Sequence, residues 1–159
     1  MGGGKFIPDF VMAKGFSGGW NITFVELEAP NVPLFTNNGV MGRHLRTADR
    51  QINDWKRFVA QNQLQVLRDL SFAIRDGDLN YTIPGRGEEP RDSVGCKLYD
   101  PDCMIIWHYV IVIGRSSQMN PDDIFRKSHL NHDSYEIMTY DRFLDSAKNC
   151  NEQNNMYEN

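Results

Sequence analysis

Residues 104–114, MIIWHYVIVIG, carry apolar or aromatic side chains at almost every position. In an extended strand, alternate side chains leave opposite faces. A run of this kind must therefore be covered on both faces, as in the middle of a layered domain. The β-branched and aromatic content favours a strand over a buried helix, and Gly114-Arg115 bounds it. A chain of 159 residues can build one such core with little left for a second domain.

The remaining segments fit around that strand. Residues 5–14 and 21–28 read as a strand pair, joined by GFSGGW, which has the glycines a hairpin loop needs. Residues 31–42 hold two turn signals, Val-Pro and Asn-Asn-Gly. A helix over 43–75 places Ala48, Ile52, Trp55, Val59, Val66, Leu70 and Ala73 at three- and four-residue intervals, a single core-facing stripe. The span 76–103 is rich in Gly, Pro, Asp and Arg and reads as a long irregular insertion. Asn120-Pro121-Asp122-Asp123 is a helix start, with a capping Asn, Pro in the first turn and acids at the positive end of the dipole. That helix is expected to end near Asn131. A strand over 134–140 and a helix over 141–149 follow, then the polar tail 150–159, expected to be disordered. The order predicts a mixed α/β domain over 1–149, its sheet covered by helices. Because the first strand begins almost at Lys5, after Gly-Gly-Gly, the chain is expected to be a piece of a longer protein that lacks an N-terminal element or sensor region.

Charge and composition narrow the partners. A formal charge of −4 excludes a bulk polycation coating nucleic acid, so an anionic polymer would have to meet a local basic patch and metal ions. No run approaches the roughly 20 apolar residues of a membrane span, and no secretory leader is visible. The expected location is the cytoplasm. Cys96, Cys103 and Cys150 make an odd count and read as free thiols in a reducing compartment. The Cys96–Cys103 spacing suits no common zinc knuckle.

The stretch FVELEAPNVPLF contains the chemical anomaly. Glu26 and Glu28 share one face of a strand, about 7 Å apart, while Val25 and Leu27 face the opposite layer. Closing the hairpin near residues 17–19 brings Asp9 beside Glu26, so three carboxylates converge on one spot. Such acids raise one another's pKa unless a cation neutralises them. Oxygen donors without Cys or His select a hard ion, Mg²⁺ or Mn²⁺. The plain alternative is a pair of glutamates that merely solvate an edge strand. Gln51, one turn before Trp55, can face the acids and bond a carboxylate, a metal-bound water or a phosphate oxygen. Arg43, Arg46, Arg50 and Arg57 form a basic ridge along one side of the same helix, fit for DNA phosphates or for solvent. His44 and Lys5 are further candidates near the acids. His108 reads as a strand residue at a layer boundary, and His129 and His132 as residues favouring a helix C-terminus.

Pro8-Asp9 followed seventeen positions later by Glu26-x-Glu28 resembles the PD-(D/E)XK nuclease site, with Glu28 in the place usually held by lysine. The set is narrower still. PDF, VELEAPNVPLFTNNG, Ala48-x-x-Gln51-x-x-Asp54-Trp55, VIVIGR and TYDRFLDSA, spread over residues 6–147, are together similar to the Shedu family of bacterial anti-phage nucleases (DUF4263). The resemblance implies a restriction-endonuclease-like core that hydrolyses phosphodiester bonds in double-stranded DNA, including phage DNA or DNA ends. It implies Mg²⁺ held by Asp9, Glu26 and the carbonyl of Leu27. Glu28 would take a second metal position or act as general base, and Gln51 would orient the water or the carboxylate. Arg43, Arg46, Arg50 and Arg115 become the phosphate-binding candidates, and a homo-oligomer, a tetramer, is the expected assembly. The rival expectation is a catalytically silent DNA-binding or assembly domain, or a sensor or scaffold fragment of a larger defence complex.

Overall fold

The structure is a computed structural model that describes residues 7–76, 89–130 and 135–155. Lys5, His132, part of the expected insertion (77–88) and the end of the tail lie outside the described residues. In chain order the elements are β1 (Phe10–Phe16), β2 (Gly19–Leu27), α1 (Arg43–Asp76), β3 (Met104–Val112), a short 3₁₀ turn (Ser116–Gln118), α2 (Pro121–Leu130), β4 (Glu136–Met138) and α3 (Tyr140–Asn155). The strands form one mixed sheet in the order β1-β2-β3-β4, with β3 and β4 parallel in the register Val110↔Glu136, Ile111↔Ile137, Val112↔Met138. The predicted α/β class holds. Helix α3 runs beyond the expected end near 149, since no Gly or Pro follows Tyr140 to stop it.

The contacts divide the chain into two units. In the first, Val11–Phe24 and Asn53–His108 pack around Trp20, Ile22, Phe24, Trp55, Val59, Val66, Leu67 and Leu98. The Phe24 ring stacks on Trp107 at 5.8 Å and meets Trp55 at 6.3 Å with a 60° tilt. The turn between β1 and β2 uses Gly18 at φ +87°, a left-handed conformation that glycine adopts without a Cβ clash. A Cβ on neighbouring Gly19 would run into the Met104 carbonyl. Buried Asp92 fastens this turn: its carboxylate accepts N–H bonds from Gly18 (2.9 Å), Val94 (3.0 Å) and Cys96 (2.8 Å). Burial alone would raise its pKa, but these donors bring it below the usual carboxylate range. Cys96 and Cys103 are free thiols.

Two expectations change in this unit. Helix α1 kinks at Asn62 (φ −133°, ψ 27°), whose side-chain amide donates to the Phe58 carbonyl at 2.9 Å and competes with the helix's own ladder. The kink shifts the buried phase. Ala48 to Val59 are buried as the stripe predicts, but beyond Asn62 the buried positions are Val66, Leu67 and Ser71, while Ala73 is exposed and Leu70 half-buried. Nor is the central strand covered throughout: Met104, Ile106 and His108 are exposed, and His108 Nε2 sits 3.0 Å from the Asn21 side chain.

The second unit comprises Pro8–Phe10, Val25–Ile52 and Tyr109–Asn159. Here the expected two-sided burial is present, over Tyr109–Ile113. Val25, Val110 and Val112 make one apolar cluster with Leu27, Met138, Tyr140 and Phe143, so α3 covers that face. Ile111 and Ile113 point the other way by strand alternation. Tyr135 donates its hydroxyl to Asp49 at 2.8 Å, tying α1 to the residue ahead of β4. Helix α2 opens on a reciprocal cap, Asn120 and Asp123 each accepting the other's N–H at 2.9 and 3.3 Å. Among the described residues no helix is long and apolar enough to cross a membrane.

The Phe24→Ala variant should lose about 3–5 kcal/mol in urea unfolding, because the ring is fully buried between two tryptophans. Leu64→Ala, on half-exposed helix surface, should stay within about 0.5 kcal/mol.

Candidate functional site

All of the acids singled out in the sequence lie in the second unit, where β2 ends. Strand alternation puts Val25 and Leu27 in the α3-side cluster and Glu26 and Glu28 on the opposite face, as expected. The backbone there is clamped from three sides. Glu28 N–H donates to the Val112 carbonyl at 2.8 Å, and the Tyr140 hydroxyl donates to the Glu28 carbonyl at 2.6 Å. Leu27 N–H donates to Asp9 Oδ2 at 2.8 Å. Asp9 lies just before β1, so its side chain takes the N–H that a strand carbonyl would otherwise accept. In extended backbone a residue's C=O leaves on the same side as its N–H, which directs the Leu27 carbonyl toward Asp9.

Glu26 is the centre of strain. The residue is 8% exposed, and its Oε2 has no hydrogen-bond partner among the described residues. Its pKa is pushed from 4.5 to about 7, first by burial and then by the charges of Asp9 and Glu28, against a hydrogen bond from Gln51. Gln51 thus reaches the carboxylate from α1, the role its position in the sequence allowed. Tyr140 is also held above the usual phenol range, by burial and then by Asp9 and Glu28.

Glu28 is engaged elsewhere. Its Oε2 lies 2.9 Å from His44 Nδ1 on the first turn of α1, with the Glu28 side chain 15% exposed and the His44 ring 48% exposed. The expected convergence of three acids is therefore only partial. Both neighbours are close enough to repel Glu26, yet among the described residues no three His, Cys, Asp or Glu side chains form a ready metal-binding group. Asp9 has turned one oxygen to Leu27, and Glu28 one to His44. The donor set still fits a hard ion. Mg²⁺ is commonly held by one or two carboxylates, its other positions going to water and phosphate, and Glu26 Oε2 is a buried oxygen without a hydrogen-bond partner among the described residues.

The arginines separate. Arg43, Arg46 and Arg50 are exposed on α1, whose first turn contains no acid, so the positive end of the helix dipole is reinforced rather than offset. Arg46 also donates to the Met41 carbonyl at 3.2 Å. Arg57 lies in the first unit and pairs with Asp54 at 3.6 Å. Arg115 is committed to Asp141 at 3.3 Å; Asp141, in the first turn of α3, also accepts the Ser116 N–H at 2.7 Å. Two participants carried no signal of their own in the sequence. Tyr140 and Asp141 stand in the TYDRFLDSA segment, but their bonds to Glu28 and Ser116 are long-range contacts that no local periodicity announces.

These features define an α/β domain with an acidic, partly buried centre at a strand end and a basic helix start beside it. The family model described as Shedu protein SduA, C-terminal, matches residues 2–144, and the chain belongs to that family. No curated protein and no solved structure matches the chain.

Glu26 makes stability depend on pH in a definite direction. Its folded pKa of about 7 lies above the unfolded 4.5, so across that window the folded chain binds more protons than the unfolded one. Stability should fall as pH rises from 4.5 to 7 and stay low above it, by up to about 3 kcal/mol from this group. Glu26→Gln should remove that component. Thermal unfolding in cation-free buffer at pH 5 and pH 8 should show the variant gaining on the native chain by about 1–3 kcal/mol at the higher pH. An unchanged difference would place Glu26 in no such conflict.

Proposed function

We propose that this chain is the metal-dependent DNA endonuclease domain of a Shedu-type anti-phage defence protein, acting on double-stranded DNA with Mg²⁺ or Mn²⁺. The observation that carries this reading is the Glu26 carboxylate, buried without a partner for one oxygen among the described residues and pressed between Asp9 and Glu28. A fold keeps such a group at a cost in stability, and binding a cation converts the cost into affinity.

In this reading Glu26 and the free oxygen of Asp9, with the Leu27 carbonyl, hold the ion, and Gln51 fixes the rotamer of Glu26. Bound there, Mg²⁺ would lower the pKa of a coordinated water and stabilise negative charge on the phosphate oxygens. Glu28 accepts a proton or adds a ligand oxygen on the His44 side. Arg43, Arg46 and Arg50 receive the DNA backbone along α1, next to the reacting phosphate. Arg115 contributes by holding Asp141 at the start of α3, and its place on DNA would require that pair to open. The family resemblance extends the proposal to a homo-oligomer, a tetramer.

A second reading, a catalytically silent DNA-binding or assembly domain, is favoured by one observation: the position where the motif usually has lysine is Glu28, already paired with His44.

Cleavage of linear and supercoiled duplex in millimolar Mn²⁺ separates the two. Asp9→Ala and Glu26→Ala should each lower the rate at least about 100-fold, the scale of losing one electrostatic stabiliser, without loss of DNA binding. Cleavage by neither native nor variant chains supports the silent domain, and equal cleavage by both would mean that Asp9 and Glu26 do not carry the reaction. DNA affinity measured against salt should show the slope of log K falling by about 0.9 for each of Arg43, Arg46 and Arg50 changed to Ala.

A further inference from the structure

We propose that His44 is a positioning residue for a divalent cation at the Glu26 centre: by holding Glu28 Oε2 it fixes the Glu28 side chain and leaves Oε1 as the oxygen available to the ion. The inference rests on the nuclease reading and deepens it by assigning the orientation of its least conventional residue.

The geometry leaves Glu28 little other freedom. Its N–H is held by Val112 and its carbonyl by Tyr140, so the main chain is fixed and only the side-chain torsions remain. Glu28 and Glu26 repel one another, and a flexible glutamate lowers that repulsion by swinging away toward solvent. The 2.9 Å bond from His44 Nδ1 opposes the swing. The carboxylate can only accept, so Nδ1 carries the hydrogen and donates it. The donor comes from the first turn of a long helix that buries Leu45, Ala48 and Ile52, so its backbone is not free to drift. At 15% exposure, Glu28 is itself largely withdrawn from the water that would otherwise solvate it. Donors that orient ligand carboxylates from behind typically govern metal affinity 10–100-fold.

Mn²⁺ binding to the full chain, followed by the EPR signal of free Mn²⁺, tests this without DNA or turnover. His44→Ala should weaken binding about 10–100-fold. His44→Asn, whose amide nitrogen occupies the place of Nδ1, should restore most of the affinity, and His44→Gln, whose amide nitrogen matches Nε2, should not. In a Glu28→Ala background, His44→Ala should cause no further loss, an outcome a merely structural role would not give. Matched thermal unfolding of the native chain, the Asn variant and the Ala variant shows that the fold is intact. If the native chain binds Mn²⁺ and His44→Ala binds it equally well, or if the loss persists in the Glu28→Ala background, the role of His44 is overturned and the nuclease reading stands. If the native chain binds no Mn²⁺, both are overturned.

Discussion

The Glu26 carboxylate is buried on a strand whose neighbouring side chains are the apolar core, with two more acids beside it and one oxygen without a partner among the described residues. Burying an uncompensated charge is among the costliest things a fold can do, and the group responds by holding its proton to a higher pH. Much of the second unit can be read as what is needed to keep Glu26 there. Val25 and Leu27 anchor the strand in the α3-side cluster, which forces Glu26 to the other face. Gln51 reaches it from α1, and Asp49 on the same helix is tied to Tyr135.

Three hydrogen bonds turn the strand end into a fixed platform. Val112 and Tyr140 hold the main chain of Glu28, and Asp9 holds that of Leu27. Each comes from a different part of the sequence, so displacement of any one disturbs where the carboxylates point. The acids fall short of a closed ligand cage because Asp9 and Glu28 each spend a carboxylate oxygen on structure, one on the Leu27 N–H and one on His44. What remains is an open set of oxygens, which in the proposed function suits an ion that also takes water and a phosphate oxygen.

Legibility in the sequence followed the range of the interaction. Strand alternation placed Val25, Glu26, Leu27 and Glu28 on their faces, and helical spacing placed Ala48, Ile52, Trp55 and Val59 in the core, because both periods are local. The Asn120–Asp123 cap was readable for the same reason. The kink at Asn62 was not: neither Pro nor Gly marks it, and a side-chain amide bonding back to Phe58 is one of several choices an Asn has in a helix. Burial of the first half of β3 was overestimated, since an apolar run reports what could be covered and not what arrives to cover it. In the candidate site, the placement of Asp9 and Gln51 beside Glu26 was legible from spacing and pattern. The pairings of His44 with Glu28, Tyr140 with the Glu28 carbonyl and Arg115 with Asp141 depend on tertiary contacts, one of them spanning most of the chain.

In the proposed function, Glu26 is a carboxylate kept in an unfavourable setting for a cation to relieve. Its pKa measured directly, by carbon NMR of the side-chain carboxyl with and without Mg²⁺, tests that claim at the atom concerned. The expected result is a value near 7 without the ion and a fall to or below 4.5, the ordinary value for a glutamate, when Mg²⁺ is added. A Glu26 that titrates near 4.5 in both conditions, or one near 7 that Mg²⁺ leaves unmoved, would contradict it.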